Sequence, residues 1–210
     1  MSTLVSGLVR QCVAAIGILL ALTVIVGVAY PATVWAVSRI GTDSAEGSQT
    51  TDAAGCNVGS SLIGIDPQVP AGQPDPYLHA RVLGSPDDPM APGDPAASAA
   101  GNKGPNNDDL LAWIEQRRAV IAQREGVTPS AVPADAVTGS GSGLDPDISP
   151  AYAALQIPRL AAENRLSTGQ VQTIVDENTE GRQWGFLGQP RVNVLKVNLA
   201  LGHTVPACQR

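Results

Sequence analysis

The sequence predicts a single N-terminal transmembrane helix followed by one mixed α/β domain of the α+β type, placed outside the cytoplasm. Residues 12–37 carry no charge and lie between Arg10 and Arg39. After Arg39 no second apolar run of membrane length occurs, and the remaining chain is long enough for one domain with its own core. Within that domain the helix signals come first and a strand signal comes late, an order typical of α+β folds.

The apolar stretch 12–37 is long enough to cross a bilayer, because about 20 apolar residues at 1.5 Å each span a hydrocarbon core of roughly 30 Å. A cleavable signal peptide has a shorter apolar core, of about 7–15 residues, and a small-residue cleavage site. This stretch continues through Tyr30, Pro31 and Trp35 without a convincing site of that kind. We therefore expect an uncleaved anchor, and a secreted binding protein with a cleaved leader is the alternative.

The charges predict an orientation in the cell (inner or plasma) membrane. Arg10 and the α-amine precede the span, Arg39 follows it, and the next basic residue is Arg81. The positive-inside rule then favours a short cytoplasmic N-terminus, residues 1–11, and a large domain outside. All 19 acidic residues follow Arg39, whereas Lys and Arg are sparse and scattered. The absence of a basic stripe argues against a nucleic-acid partner.

Small residues mark one face of the predicted span. Thr23, Gly27 and Pro31 recur at i, i+4 and i+8. Small side chains at that spacing let another helix approach closely, and packing drives helix association in lipid. Tyr30 and Trp35 are expected in the interfacial belt. The sequence therefore predicts a partner-helix contact, with a lone anchor that happens to contain Gly and Thr as the alternative.

Residues 38–105 are rich in Gly, Pro, Ala, Ser and Asp, a composition that predicts an irregular part of the outer domain. The short apolar patch at 58–65, VGSSLIGI, predicts a strand. Cys56 in this segment could pair with Cys208 if the domain faces an oxidising compartment. Two free cysteines are equally compatible with the sequence, and Cys12 lies inside the span.

Residues 106–210 predict three helices. In the first, Asn106 or Asn107 provides an N-cap and Gly126 a C-terminal stop. Inside it, Leu110, Ile114, Arg117 and Ile121 recur at helical spacing. The second helix starts at Ser149–Pro150 and runs to Asn164, with Pro158 expected to kink it or end its first half. The third starts at Ser167, with Gln170 in the capping-box position, and buries Val171, Ile174 and Val175.

The last element predicted is a strand. Its evidence is alternation, since Leu195, Val197, Leu199 and Leu201 would point one way while the residues between them point the other.

A glycine-rich stretch, TGSGSG at 138–143, precedes the second helix. It is not a nucleophile elbow, because neither serine has glycines at both −2 and +2. No Gly-Lys-Ser/Thr follows, so it is not a phosphate loop either. Two interpretations stay open: a turn with a helix cap, or a backbone surface whose N–H groups contact another protein or a phosphate. The candidate residues, called here the glycine–serine loop, are Gly139, Ser140, Gly141, Ser142, Gly143, Asp145, Pro146, Ser149 and Pro150.

No catalytic or metal-binding set is evident. Asp145 and Asp147 form only a common D-x-D pair, and the two histidines, His79 and His203, have no zinc spacing with the cysteines. We therefore expect no catalytic residue, no metal and no cofactor of the chain's own. The alternative is a free membrane-anchored extracytoplasmic hydrolase that uses an unrecognised carboxylate pair.

Four segments resemble the C subunit of the Kdp potassium-transporting ATPase: LTVIVGVAYP (22–31), VGSSLIG (58–64), VPADAVTGSGSGLDPDISPAYAALQIPRLA (132–161) and GFLGQPRVNVLKVNLAL (185–201). The resemblance covers most of the chain in register, and the block TGSGSGLDPDISP is highly specific to that family. The chain departs from the family pattern between residues 45 and 105, where no site residue is assigned.

The resemblance implies a non-catalytic accessory subunit of a high-affinity, ATP-driven potassium importer. It implies as partners a P-type ATPase subunit, a channel-like potassium-binding subunit and, often, a small single-span subunit. ATP would be bound by or with the ATPase subunit, and this chain would stabilise the complex and act as a catalytic chaperone that raises ATP affinity. An outer domain cannot touch cytoplasmic ATP, so we expect the coupling to be indirect, through the span or the channel-like subunit.

Overall fold

The computed structural model describes residues 2–70 and 72–203, which form two compact units that meet in sequence at Ser48 and Gln49. The first unit is one long helix with a short one after it. Its parts are α1 (Ser2–Val24), a π-helical turn (Ile25–Ala29), α2 (Tyr30–Ser38) and α3 (Thr42–Ala45). From Val5 to Ser38 the helix has 34 residues, and an 18-residue window within it has a mean hydropathy of 2.8. It is long and apolar enough to cross a membrane.

The π-helical turn lies directly before a proline. Pro31 has no N–H and cannot make the usual hydrogen bond to the carbonyl four residues earlier. The N–H of Tyr30 bonds to the oxygen of Ile25, five residues back, so the backbone is wound more loosely in this turn. The sequence signal for this irregularity was Pro31 itself.

The second unit opens with a small antiparallel hairpin of β1 (Gln49–Thr51) and β2 (Asn57–Ser60). The strand predicted in 58–65 is thus present only in its first residues. At the turn, Oδ1 of Asp52 accepts from the backbone N–H groups of Ala54 and Cys56, both at 2.9 Å. Cys56 is buried and disulfide-bonded. Cys208, its predicted partner, lies outside the described residues.

The three predicted helices are confirmed at their caps. They are α4 (Asp108–Glu125), α6 (Pro150–Asn164) and α7 (Thr168–Glu177). Asn107 caps α4, Ser149 caps α6, and Ser167 forms the predicted capping box with Gln170. Between α4 and α6 lie a 3-10 turn (Pro129–Ala131) and α5 (Ala134–Val137). Of the two outcomes expected at Pro158, a kink or an end of the helix, the second does not occur, because α6 continues to Asn164. Pro158 lies on the exposed face, where water can bind the freed carbonyl.

The strand predicted at 195–201 is wrong. Strand β5 covers only Arg191–Asn193, and α8 (Val194–Ala200) follows at once. The side chain of Asn193 caps this helix by accepting from the N–H of Lys196 at 3.1 Å. Val194, Val197 and Asn198 are buried, at the i, i+3 and i+4 spacing of a helix. The apolar residues fit both periods, and burial at the helical spacing decides for the helix.

A three-stranded antiparallel sheet holds these elements together. Its order is β3 (Asp147–Ile148), β5, β4 (Thr179–Glu180), with Ile148 and Thr179 both paired to Val192. Helices α4, α6, α7 and α8 supply most of the core. Leu78 and Ala80 complete it from the irregular segment, which is therefore part of the fold.

Candidate functional site

The predicted partner-contact face lies on the long helix. A Cβ placed on Gly27 would lie 4.0 Å from the methyl group of Thr23, so these two residues share one face. The Thr23 hydroxyl donates to the oxygen of Leu19 at 2.8 Å and leaves no polar group unpaired there. Pro31 is at the start of α2, directly after the π-helical turn. The face is small, apolar and smooth, as close helix packing requires.

The aromatic residues of the predicted interfacial belt are also exposed. Tyr30 is 65% exposed and Trp35 is 64% exposed, and the guanidinium of Arg39 lies 5.5 Å from the Trp35 ring centre. None of the apolar helix window is buried. Its side chains are therefore available for contacts with lipid or with other chains.

In the glycine–serine loop, the backbone N–H groups from Ser142 to Asp145 are used internally. The hydroxyl of Ser140 accepts from the N–H groups of Ser142 and Asp145, and the hydroxyl of Ser142 accepts from Leu144. Ser149 caps α6 by accepting from Tyr152. A phosphate would need these donors free and pointing outward. The geometry favours the turn-and-cap interpretation over a phosphate-binding surface.

The same loop is packed against the irregular segment at contacts too close for a side chain. A Cβ on Gly143 would lie 2.5 Å from the oxygen of Ala99, and one on Gly64 or Gly93 would collide with the backbone of Asp145 or Gly143. Because of these contacts, the loop serves as a scaffold on which the segment before α4 is folded.

Two arginines reinforce this scaffold. Arg81 donates to the carboxylate of Asp145 and to the oxygen of Gly139, both at 2.8 Å. Arg117, only 1% exposed, donates to three carbonyl oxygens of Leu83, Pro89 and Val137. A buried guanidinium whose three nitrogens each donate to a carbonyl holds its neighbours in one arrangement. Burial lowers the pKa of Arg117.

Sequence reasoning missed an extended stretch that we call the clamped segment, residues 77–82. Two buried side-chain amides bind its backbone on both sides as a neighbouring strand would. Asn198 accepts from the N–H of Leu78 at 2.7 Å and donates to its oxygen at 2.9 Å. Gln156 does the same for His79, at 2.8 and 3.2 Å. The one local signal was the apolar alternation of Leu78, Ala80 and Val82 in the sequence, which does not indicate the partners.

Within the clamped segment His79 lies between two carboxylates. Its Nδ1 is 3.1 Å from both oxygens of Asp66, and its Nε2 is 2.7 Å from Oδ2 of Asp75. The doubly protonated ring is the form that donates to both. Burial alone would lower the pKa of His79, but the hydrogen bonds to Asp66 and Asp75 outweigh it and raise that pKa.

The charges around His79 continue into a buried network. Burial opposes ionisation of Asp75, yet His79 and Arg159 together hold the pKa of that carboxyl below its usual value. Arg159 also donates to Glu125 at 3.0 Å, and Glu125 pairs with Arg124 at 2.7 Å. Burial raises the pKa of Tyr152, which accepts from Arg124, to about 12. Each charge has an opposite partner, so the network joins the clamped segment to α4 and α6.

The remaining candidates for chemistry are held apart. Asp145 is paired with Arg81, and Asp147 with Arg191 at 3.1 Å, so the D-x-D carboxylates do not converge on a common point. His203 stacks on Tyr77 and bonds to the oxygen of Pro76. In residues 2–70 and 72–203, no group of three or more His, Cys, Asp or Glu side chains is placed to hold a metal ion.

Comparison with known proteins identifies the family. Residues 12–203 match the family model described as "K+-transporting ATPase, c chain". A Potassium-transporting ATPase KdpC subunit from Streptomyces avermitilis is 43% identical, over 98% of this chain and 99% of the relative. The corresponding subunit of Kineococcus radiotolerans is also 43% identical, over 98% and 100%, and that of a Caulobacter species is 44% identical over 88% and 89%. The resemblance found in the sequence is confirmed: the chain belongs to the KdpC family, the C chain of the potassium-transporting ATPase.

Proposed function

We propose that this chain stabilises a potassium-importing ATPase complex from the outer side of the membrane and raises the ATP affinity of its catalytic subunit. Family membership makes it an accessory subunit in potassium transport and not the catalytic subunit. The observation that supports the stabilising role is the long apolar helix, which has no partner helix among the described residues and carries the Thr23–Gly27 face. Such a face gains its contacts from a helix of another chain.

The partners we propose are a P-type ATPase subunit, a channel-like potassium-binding subunit and a small single-span subunit. The face at Thr23, Gly27 and Pro31 would pack on a helix of one of them. Tyr30 and Trp35 would lie at the membrane boundary. Chemical cross-linking in native membranes tests this assignment: a cysteine at Gly27 should cross-link to a span of a partner subunit, whereas one at Gly17 should not.

The outer location of the domain is supported by Cys56. It is buried and disulfide-bonded, and disulfides persist in oxidising compartments. The positive-inside rule points the same way. The test uses a cysteine at Leu111, which is 57% exposed on α4, in a chain with Cys12→Ser. A membrane-impermeant maleimide should label it in intact cells as fully as after lysis; labelling only after lysis would place the domain in the cytoplasm.

The effect on ATP affinity would be indirect. The N–H groups of Ser142 and Leu144 are used inside the glycine–serine loop, and an outer domain would not meet cytoplasmic nucleotide. We therefore propose a free-energy linkage, in which the packed helix favours the nucleotide-binding state of the ATPase subunit. Couplings of this kind change affinity by about 5- to 150-fold. Omitting this chain from the purified complex should raise KM for ATP within that range, and an unchanged KM would refute the linkage.

A further inference from the structure

The loop between β4 and β5 exposes the largest apolar side chains of the second unit. This loop, residues 181–190, is called here the aromatic hairpin. Within four residues it carries Trp184, Phe186 and Leu187, which are 84%, 67% and 42% exposed. The whole protein has only three tryptophans and one phenylalanine, so this concentration is high for the chain. Every residue from Gly181 to Pro190 is exposed.

Four backbone N–H groups at the tip of the aromatic hairpin donate to oxygens of the hairpin itself. The N–H of Gln183 donates to the oxygen of Leu187 at 2.9 Å, and the N–H of Leu187 donates back at 3.0 Å. The N–H of Gly185 donates to Arg182, and that of Phe186 to Gln183. Pairing these groups lowers the free-energy cost of placing the tip where water is scarce.

The charge of the aromatic hairpin differs from that of the rest of the chain. Residues 181–190 contain no Asp or Glu and one cation, Arg182, in a protein of net charge −6. Arg182 bonds to the amide oxygen of Gln189 at 2.9 Å and has no ion pair among the described residues. The next arginine, Arg191, is neutralised by Asp147 and Glu180. The tip thus combines exposed aromatic side chains with one uncompensated positive charge.

We propose that the aromatic hairpin binds the lipid–water interface of the bilayer, with Trp184, Phe186 and Leu187 among the lipid headgroups and acyl chains and Arg182 on anionic phosphates. Tryptophan and phenylalanine with adjacent Arg are the side chains that bind at this interface. The chain carries its own apolar helix, which would anchor the second unit to the bilayer. Lipid is then present at a high effective concentration, so a weak contact is sufficient. The inference holds for either leaflet and does not depend on the proposed effect on ATP.

The test measures whether Trp184 meets acyl chains in the full-length protein. Trp35→Phe and Trp113→Phe leave it as the only tryptophan, and the protein is placed in nanodiscs of phosphatidylcholine and phosphatidylglycerol with or without brominated acyl chains. We expect strong loss of Trp184 emission in brominated discs. Equal emission in both kinds of disc would overturn the proposal. An emission shift that occurs only when the partner subunits are present, without bromine quenching, would also overturn it in favour of a protein contact.

Two controls keep the result interpretable. A chain whose only tryptophan is Trp35 must be quenched, which shows that the apolar helix is in the bilayer. A chain whose only tryptophan replaces Leu111, exposed on α4, should not be quenched. The otherwise native chain gives an independent check, because Trp184→Phe should remove part of its bromine-quenched emission. Arg182→Glu should reduce the quenching of Trp184, and more so at low salt.

Discussion

Gln156 binds the backbone of His79 at both its N–H and its oxygen, at 2.8 and 3.2 Å, although 77 residues separate them. Gln156 is 0% exposed, so neither backbone group has water as a substitute partner. Gln156→Leu should therefore destabilise the second unit, since each buried polar group left unpaired costs about 1–3 kcal/mol. The full chain in detergent should show a clearly lower unfolding midpoint. Gln172→Leu, on the exposed face of α7, is the matched control, and equal midpoints for the two variants would contradict the clamp.

Stability should fall as the pH rises, because of His79. Its pKa is raised by Asp66 and Asp75 against the effects of burial and of the nearby Arg124 charge. A group with a raised pKa contributes its full stabilisation below its ordinary value of 6.5 and loses it as the pH passes through the folded-state value. The melting temperature of the full chain should therefore decrease as the pH rises above about 6.5.

His79→Asn should lower the melting temperature and flatten this dependence. His203→Asn serves as the control and should leave the slope in place, because His203 bonds to a backbone oxygen and faces no carboxylate in the described part of the chain. A wild-type melting temperature that does not change with pH would show that the His79 cluster is not charged in the way described.

Replacement by alanine should affect stability differently at two glycines of the glycine–serine loop. Gly143 has a φ of +75° and a Cβ there would lie 2.5 Å from the oxygen of Ala99. The left-handed conformation alone costs about 1–2 kcal/mol for a residue with a Cβ, and the contact adds to it. Gly141→Ala has no atom within 4 Å of the new Cβ and should be nearly neutral. The unfolding midpoints of the two variants measure this difference. A midpoint that stays unchanged in Gly143→Ala but falls in Gly141→Ala would contradict the scaffold role of the loop.

Gly27→Leu should loosen the chain from the complex by blocking close helix approach. Gly17→Leu is the matched control, since it adds the same side chain to the same apolar helix at a position ten residues away, on another face. Retention on an affinity-tagged partner subunit in mild detergent measures the effect. If both variants are retained equally well, the face at Thr23 and Gly27 is not the contact.

The sequence allowed the elements with local signals to be predicted. The caps at Asn107, Ser149 and Ser167 each depend on residues within three positions, so helices α4, α6 and α7 were predictable. Helix α8 was not, because the apolar residues after Asn193 fit both a strand and a helix. Burial of Val194 and Val197 against the sheet decided between the two.

The clamped segment could not be derived from local pattern. Its partners, Gln156 and Asn198, are 77 and 120 residues away, and a buried amide looks like a surface residue in sequence. The glycine–serine loop was recognised, but its role depends on contacts with Ala99 and Arg81 that no spacing rule predicts. Of the membrane face, the proximity of Thr23 and Gly27 followed from helical spacing, whereas the π-helical turn was not predicted despite Pro31.

The most direct test of the central claim is a pull-down of this chain through a C-terminal tag, from native membranes in mild detergent, with the co-purified proteins identified by mass. We expect recovery of a P-type ATPase subunit and a channel-like subunit in amounts stoichiometric with the tagged chain. Recovery of the chain alone, from membranes shown to contain both partners, would contradict its role as a stably bound accessory subunit.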